Sequence, residues 1–236
     1  MYYMSNRRVS DSLGIFKQAG VISDSLKRCW IRPERFLRSI FSDRRFVKEQ
    51  ITDPQDWMYD FFQIAGDMED IDYLDIDLFQ YFTDKELYTL WKCINTYSYM
   101  TMGPSLEFGD IVMAEAQPLL ENIITTADEV ISGEKDINAS LRFGHDSNII
   151  PLMALMGIEN VAVRKDLDQI SNCWNLSEIC PMATNLQFIF FRHEDDPSDI
   201  KVRIMHNERD AELPVEGAPF YDWQILRNYL MTKLEK

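Results

Sequence analysis

The chain has 236 residues, 46% of them apolar, with only nine glycines and nine prolines. That length and composition belong to a folded globular protein with a sizeable core and exclude a linker or disordered chain. Its 39 acidic and 24 basic residues leave a formal net charge of −15, which argues against nucleic acid and anionic membrane surfaces as partners but leaves room for a small anionic ligand in a locally opposed pocket.

No stretch reaches the roughly 20 apolar residues of a membrane-spanning helix, and MYYMSNRRVSDSLGIF at the N-terminus carries no secretory apolar core. From Met1 to about Asp136 the pattern is helical. Ser10 is a cap for a helix to about Gln18, with Gly20 as its stop. Pro33 marks a helix start, with Phe36, Leu37, Ile40 and Phe41 on one face. Asp53-Pro54 opens another helix, whose apolar stripe is Trp57, Phe61, Phe62 and Ile64. The run Asp67 to Asp77 holds six acidic residues in eleven. It lacks the central Gly and terminal Glu of an EF-hand, so it reads as a solvated acidic turn rather than a calcium loop.

Thr83-Asp-Lys-Glu86 is a capping box ahead of a helix carrying Leu87, Leu90, Trp91 and Ile94. Phe108 to Ile131 reads as one long helix bent near Pro118 and ended by Gly133. After Asp136 the pattern changes. Ser140 to Phe143 is predicted as a strand, Ile149 to Met156 as a helix and Val161 to Val163 as a short strand. Phe188–Phe191 and Ile200–Met205 form a predicted hairpin, the first run apolar on both faces and the second alternating. An amphipathic helix follows from about Tyr221 to Leu234. The fold class is therefore α/β, with a mainly helical part over 1–136 and an α/β part over 137–236.

Chemistry concentrates at one junction. Gly144-His145-Asp146-Ser147-Asn148 lies between the predicted strand and helix, where open α/β sheets carry reactive groups. There the imidazole is a donor to an anion held at the helix N-terminus, and the carboxyl an acid. Equally, Asp146 and Ser147 are good helix caps; local physics leaves both readings open. His193 and His206 read as exposed strand-end residues. One His, one Asp and no clustered further ligand speak against a metal site. Cys29, Cys93, Cys173 and Cys180 lack zinc-site spacing; Cys173 and Cys180 are either a disulfide pair or free thiols. There is no G-x-S-x-G and no Gly-rich phosphate loop.

Leu141-Arg-Phe-Gly-His-Asp-Ser-Asn148, with the apolar run to Met156, resembles the second active-site motif of the histidine acid phosphatases (branch 2), especially the multiple inositol polyphosphate phosphatase and phytase members. Pro181–Phe191, Leu87–Cys93 and Asn207–Pro214 are similar to the same branch. The resemblance implies a phosphoglycerate-mutase-like fold in which a helical lid domain precedes the rest of the sheet domain. It implies phosphomonoester hydrolysis of inositol polyphosphates such as phytate through a phosphohistidine, without a cofactor or metal. His145 would bind the phosphate beside Ser147, and Asp146 would be the general acid for the leaving alkoxide, a contribution of about 10²–10⁴-fold. Arg142, at an odd offset from His145, is left out of the pocket.

The family's nucleophile lies in an Arg-His-Gly motif near the N-terminus. This sequence contains none; its one Arg-His is Arg192-His193, followed by Glu. The expectation is a C-terminal portion of a histidine phosphatase, incomplete in its sheet and inactive by itself. Family members are periplasmic or secreted, and the resemblance extends that location to this chain. The competing expectation is a non-catalytic binding protein that retains part of the fold.

Overall fold

The structure is a computed structural model and describes residues 8–68, 71 and 73–235. Its first two helices, α1 (Arg8–Leu13) and α2 (Ile15–Trp30), part at Gly14. Gly20 lies inside α2, so the stop expected there is not used; one interior glycine costs about 1 kcal/mol, less than a helix loses by ending early. Ser10 sits buried within α1 instead of capping it, and its backbone N–H donates to Glu115 Oε1 at 2.9 Å. The chain divides into two compact units, residues 17–97 and residues 1–16 with 98–236. The boundary expected at residue 136 falls inside the second.

The unit 17–97 is built of helices around stacked aromatic rings. It contains most of α2, then α3 (Glu34–Ile40), α4 (Arg44–Gln50), α5 (Pro54–Met68), a 3-10 turn at Phe79–Tyr81 and the start of α6 (Asp84–Met102). Phe36 is fully buried, stacks on Phe82 at 4.5 Å and meets Phe61 edge-on at 5.3 Å. The capping box at Thr83 forms: Thr83 N–H donates to Glu86 Oε2 at 2.8 Å and Glu86 N–H to Thr83 Oγ1 at 3.4 Å. Of the expected α5 stripe, Trp57, Phe61 and Phe62 pack on this core beside the buried Met58 and Ala65, whereas Ile64 is 51% exposed. Helix α4 had no apolar period to announce it and is begun by Asp43, whose carboxylate accepts from Arg45 and Phe46 N–H. Three residues of the acidic run, 69, 70 and 72, lie outside the described residues.

In the other unit, the long helix expected over Phe108–Ile131 is two helices, α7 (Gly109–Ala114) and α8 (Gln117–Ser132). Pro118 stands in the first turn of α8, where its missing N–H has no ladder bond to lose, so it starts a helix instead of bending one. Next comes α9 (Asp146–Met156), one turn longer at its start than the apolar run suggested. It packs on α7 and α8 and buries Ile150, Pro151, Leu152, Met153, Ala154 and Met156. Gly157 ends it at φ +84, with Tyr229 Oη donating to Met156 O at 2.9 Å. Val161–Val163 is a turn, not a strand: Val163 O accepts a hydrogen bond from Tyr99 Oη at 3.1 Å, outside any ladder.

After the short α10 (Leu176–Ile179) the hairpin forms as expected from β1 (Leu186–Arg192) and β2 (Ile200–His206), antiparallel in the register Leu186↔His206 to Arg192↔Ile200. Short strands β3 (Arg209–Asp210) and β4 (Phe220–Asp222) also pair with β2, and every strand pairing among the described residues is antiparallel. Ile200, Val202 and Ile204 face the core, while Lys201, Arg203 and Met205 alternate with them and stay partly exposed. β1 is an edge strand, and its expected burial on both faces fails: Phe190 and Phe191 are 37% and 44% exposed. Phe190 meets Trp223 edge-on at 5.2 Å, and Phe191 meets Phe220 at 5.5 Å. Asp222 caps the closing helix α11 (Trp223–Met231), and Tyr221, expected as its start, belongs to β4. Among the described residues no helix is long and apolar enough to cross a membrane.

Candidate active site

The His145–Asp146 pair stands on the exposed N-terminal end of α9, whose remaining length is buried. His145 is the N-cap, with extended backbone (φ −115, ψ 172), and its carbonyl accepts from Asn148 N–H at 2.9 Å and Ile149 N–H at 3.2 Å. The Asn148 side chain reaches back, its Oδ1 accepting the His145 N–H at 3.2 Å. Asp146 Oδ1 accepts from the neighbouring Ser147 N–H at 2.6 Å. His145 and Asp146 are exposed and Ser147 is half-buried. The apolar body of α9 thus anchors a polar tip that carries an imidazole, a carboxyl and the positive end of a helix dipole, a combination suited to an anion.

The approach to this tip differs from the expected strand. Residues 140–145 are irregular, with Leu141 77% and Phe143 92% exposed. A strand needs a partner to receive its N–H and C=O groups, and none of the described residues forms a ladder with this segment. A side chain fastens it instead. The Arg142 guanidinium donates to Asn122 Oδ1 at 3.1 and 2.8 Å and to Thr126 Oγ1 at 3.0 Å, both on α8.

Two further elements end nearby. Burial pushes the Cys180 thiol, just past α10, up from its ordinary value; a bond with Thr184 opposes this, and the Asp146 carboxylate adds to it. One residue earlier, Ile179 O lies 2.7 Å from His206 Nε2. His206 is 7% exposed, so its expected place on the surface is wrong: the alternation that buries Ile200, Val202 and Ile204 carries on to it. Burial holds its imidazole below the ordinary value, with the Ile179 carbonyl opposing. His193, by contrast, is exposed at the hairpin turn. Sequence reasoning gave no role to Asn148 and misplaced His206, whereas Arg142, which it left out of the pocket, is tied to α8. Of these Asn148 was findable, because it stands three residues after the N-cap, the capping-box offset.

All four cysteines are free thiols, Cys93 buried and Cys29 and Cys173 exposed. Among the described residues no group of three or more His, Cys, Asp or Glu side chains could hold a metal ion.

The model of the histidine phosphatase superfamily (branch 2) matches residues 47–207, more than half of the chain. None of the curated proteins matches it. Among solved structures, the chain is similar to the Bifidobacterium longum multiple inositol polyphosphate phosphatase in its apo form, with 23% identity and a TM-score of 0.65 over 76% of this chain and 40% of that one. The phosphate complex of that protein gives 24% identity and a TM-score of 0.67 over 79% and 42%. The likeness shows the fold, and the chain spans about two fifths of the length of these structures.

Proposed function

Since the chain belongs to the histidine phosphatase superfamily, branch 2, we propose that it supplies the phosphate-binding and proton-donating side of a phosphomonoesterase site. The observation that carries this reading is the exposed His145–Asp146 pair on the N-terminal tip of the otherwise buried α9. In the proposed reaction the phosphoryl group rests at the helix tip, with the imidazole of His145 and the Ser147 hydroxyl donating to its oxygens. A histidine nitrogen forms the new P–N bond as the bond from phosphorus to the ester oxygen breaks. The Asp146 carboxyl gives its proton to that departing oxygen, which would otherwise leave as a strongly basic alkoxide. Water then returns the phosphoryl group as inorganic phosphate.

The solved relative, seen in two forms, is named a multiple inositol polyphosphate phosphatase, and we extend that substrate class to this chain. Within 143–163 there is no Lys or Arg, so from this stretch only His145 and the helix tip oppose a phosphate charge. The sequence holds no Arg-His-Gly, so the reading includes a nucleophile from outside these 236 residues and no turnover by the chain alone.

Two measurements test this. Inorganic phosphate titrated into the labelled chain should shift the amides of Gly144 to Asn148 and the His145 ring, and His145→Ala should abolish the response. No shift in the wild type would favour the second reading, a non-catalytic binding protein, which the missing Arg-His-Gly also supports. The purified chain, assayed on p-nitrophenyl phosphate and phytate between about pH 4 and 7, should stay at background. Turnover that Asp146→Asn removes would overturn the predicted inactivity.

A further inference from the structure

We propose that Asn148 is a positioning residue for the His145–Asp146 pair, acting through the backbone of His145. The proposal rests on the reading of that pair as the phosphate and proton-donor side of the site, but its own ground is geometric. Asn148 Oδ1 takes the His145 N–H at 3.2 Å. The same side chain occupies the space beside Gly144, where an added Cβ would lie 3.3 Å from Oδ1, 3.4 Å from the Asn148 Cβ and 3.5 Å from its Cγ. One amide group therefore captures the N–H of His145 and closes against the residue before it.

This matters because of what surrounds the pair. Upstream, the nearest anchor is the Arg142 guanidinium on Asn122 and Thr126. Downstream, α9 is buried from Ile150. Between them no ladder holds residues 143–145, and rotation about the Gly144–His145 backbone would swing the imidazole away from the helix tip. The bond to Asn148 opposes that rotation. A single side-chain-to-backbone hydrogen bond biases such an equilibrium by about tenfold.

The choice of an amide over an acid also follows. A Glu or Asp at this offset accepts the same N–H, but it would set a second negative charge within one turn of a bound phosphate. Asn148 supplies the acceptor without the charge.

The test separates the two contributions. In the labelled 236-residue chain, Asn148→Ala should speed hydrogen exchange of the His145 amide by about tenfold and weaken the response of the His145 ring to inorganic phosphate. Asn148→Asp should keep the slow exchange yet still weaken phosphate binding, a split that a merely structural residue would not produce. Gly144→Ala, which presses on the same side chain, should speed the exchange by a smaller factor and covers the case in which Asn148→Ala does not fold. Unchanged His145 exchange in Asn148→Ala, or in Gly144→Ala if that first variant is lost, overturns the tether. Wild-type phosphate affinity in Asn148→Asp overturns the charge argument. Absence of any phosphate response in the wild-type chain counts against the phosphatase reading, while the exchange rates still decide the tether.

Discussion

Strand β2 and the segment Ser140–Gly144 carry the same alternation of apolar and charged residues, yet they end in opposite states. β2 is flanked by β1 along one edge and by β4 and β3 along the other, and Ile200, Val202 and Ile204 are at most 6% exposed. In Ser140–Gly144 the equivalent residues, Leu141 and Phe143, are 77% and 92% exposed, and the polar residue between them is spent on a tie to α8. Alternation decides which side chains share a face; neighbouring strands and a covering layer decide whether that face becomes part of a sheet.

The largest test of this contrast is truncation of one apolar residue from each segment. Ile204→Ala should lower stability by about 2–5 kcal/mol through lost burial and the cavity left behind, whereas Leu141→Ala should stay within about 0.5 kcal/mol. Both are read from urea unfolding followed by tryptophan emission. A comparable loss at Leu141 would mean that this side chain is covered in solution, and the contrast would collapse.

The two ends of α9 offer a smaller version of the same test. At Gly157, φ is +84 and an added Cβ would lie 2.6 Å from Tyr229 Oη. Gly157→Ala should therefore cost about 1–3 kcal/mol. Gly144 has its nearest neighbour at 3.3 Å on a side chain that can yield, so Gly144→Ala should cost less than about 1 kcal/mol. Thermal midpoints of the two variants, measured side by side, check the order; a reversed order would show the exposed end to be the more tightly packed one.

The mildest effect is a pH response at the end of β2. Burial keeps the His206 imidazole below its ordinary value of about 6.5. Above that value the ring is neutral in both states and its contribution to stability is fully present. As pH falls below it the unfolded chain takes up the proton first, so the contribution is lost progressively toward the lower folded-state value. Between about pH 7 and 5 the urea midpoint of the wild type should fall more steeply than that of His206→Gln. Parallel slopes would place the ring in water and remove the burial argument.

Where a local rule is sufficient, the sequence reading and the structure agree. The Thr83–Glu86 box, the Pro33 and Pro54 helix starts, the β1–β2 hairpin and the Gly133 stop rest on caps, turns or periods within a few residues. Disagreement appears where an outcome depends on distant chain. Phe190 and Phe191 look doubly buried until β1 proves to be an edge. His206 looks like a strand end until Ile179 O closes over it. The candidate site divides in the same way: the position of His145 and Asp146 at a helix start was legible, but the irregular path that leads to them was not. The tether from Asn148 depends on the N-cap falling at His145, three residues before the apolar run was expected to turn helical.

Pro151 sits at the sixth position of α9 and has no N–H to give. The carbonyl four residues earlier is that of Ser147, so this group lacks the donor that an uninterrupted helix would bring to it. Helix carbonyls point toward the C-terminal end, so the Ser147 carbonyl is turned toward the Pro151 ring, and the tip of α9 presents N–H donors. Pro151→Ala would return a donor to that carbonyl while leaving the donors at the tip unchanged, so the two ends of this short stretch of main chain can be altered separately.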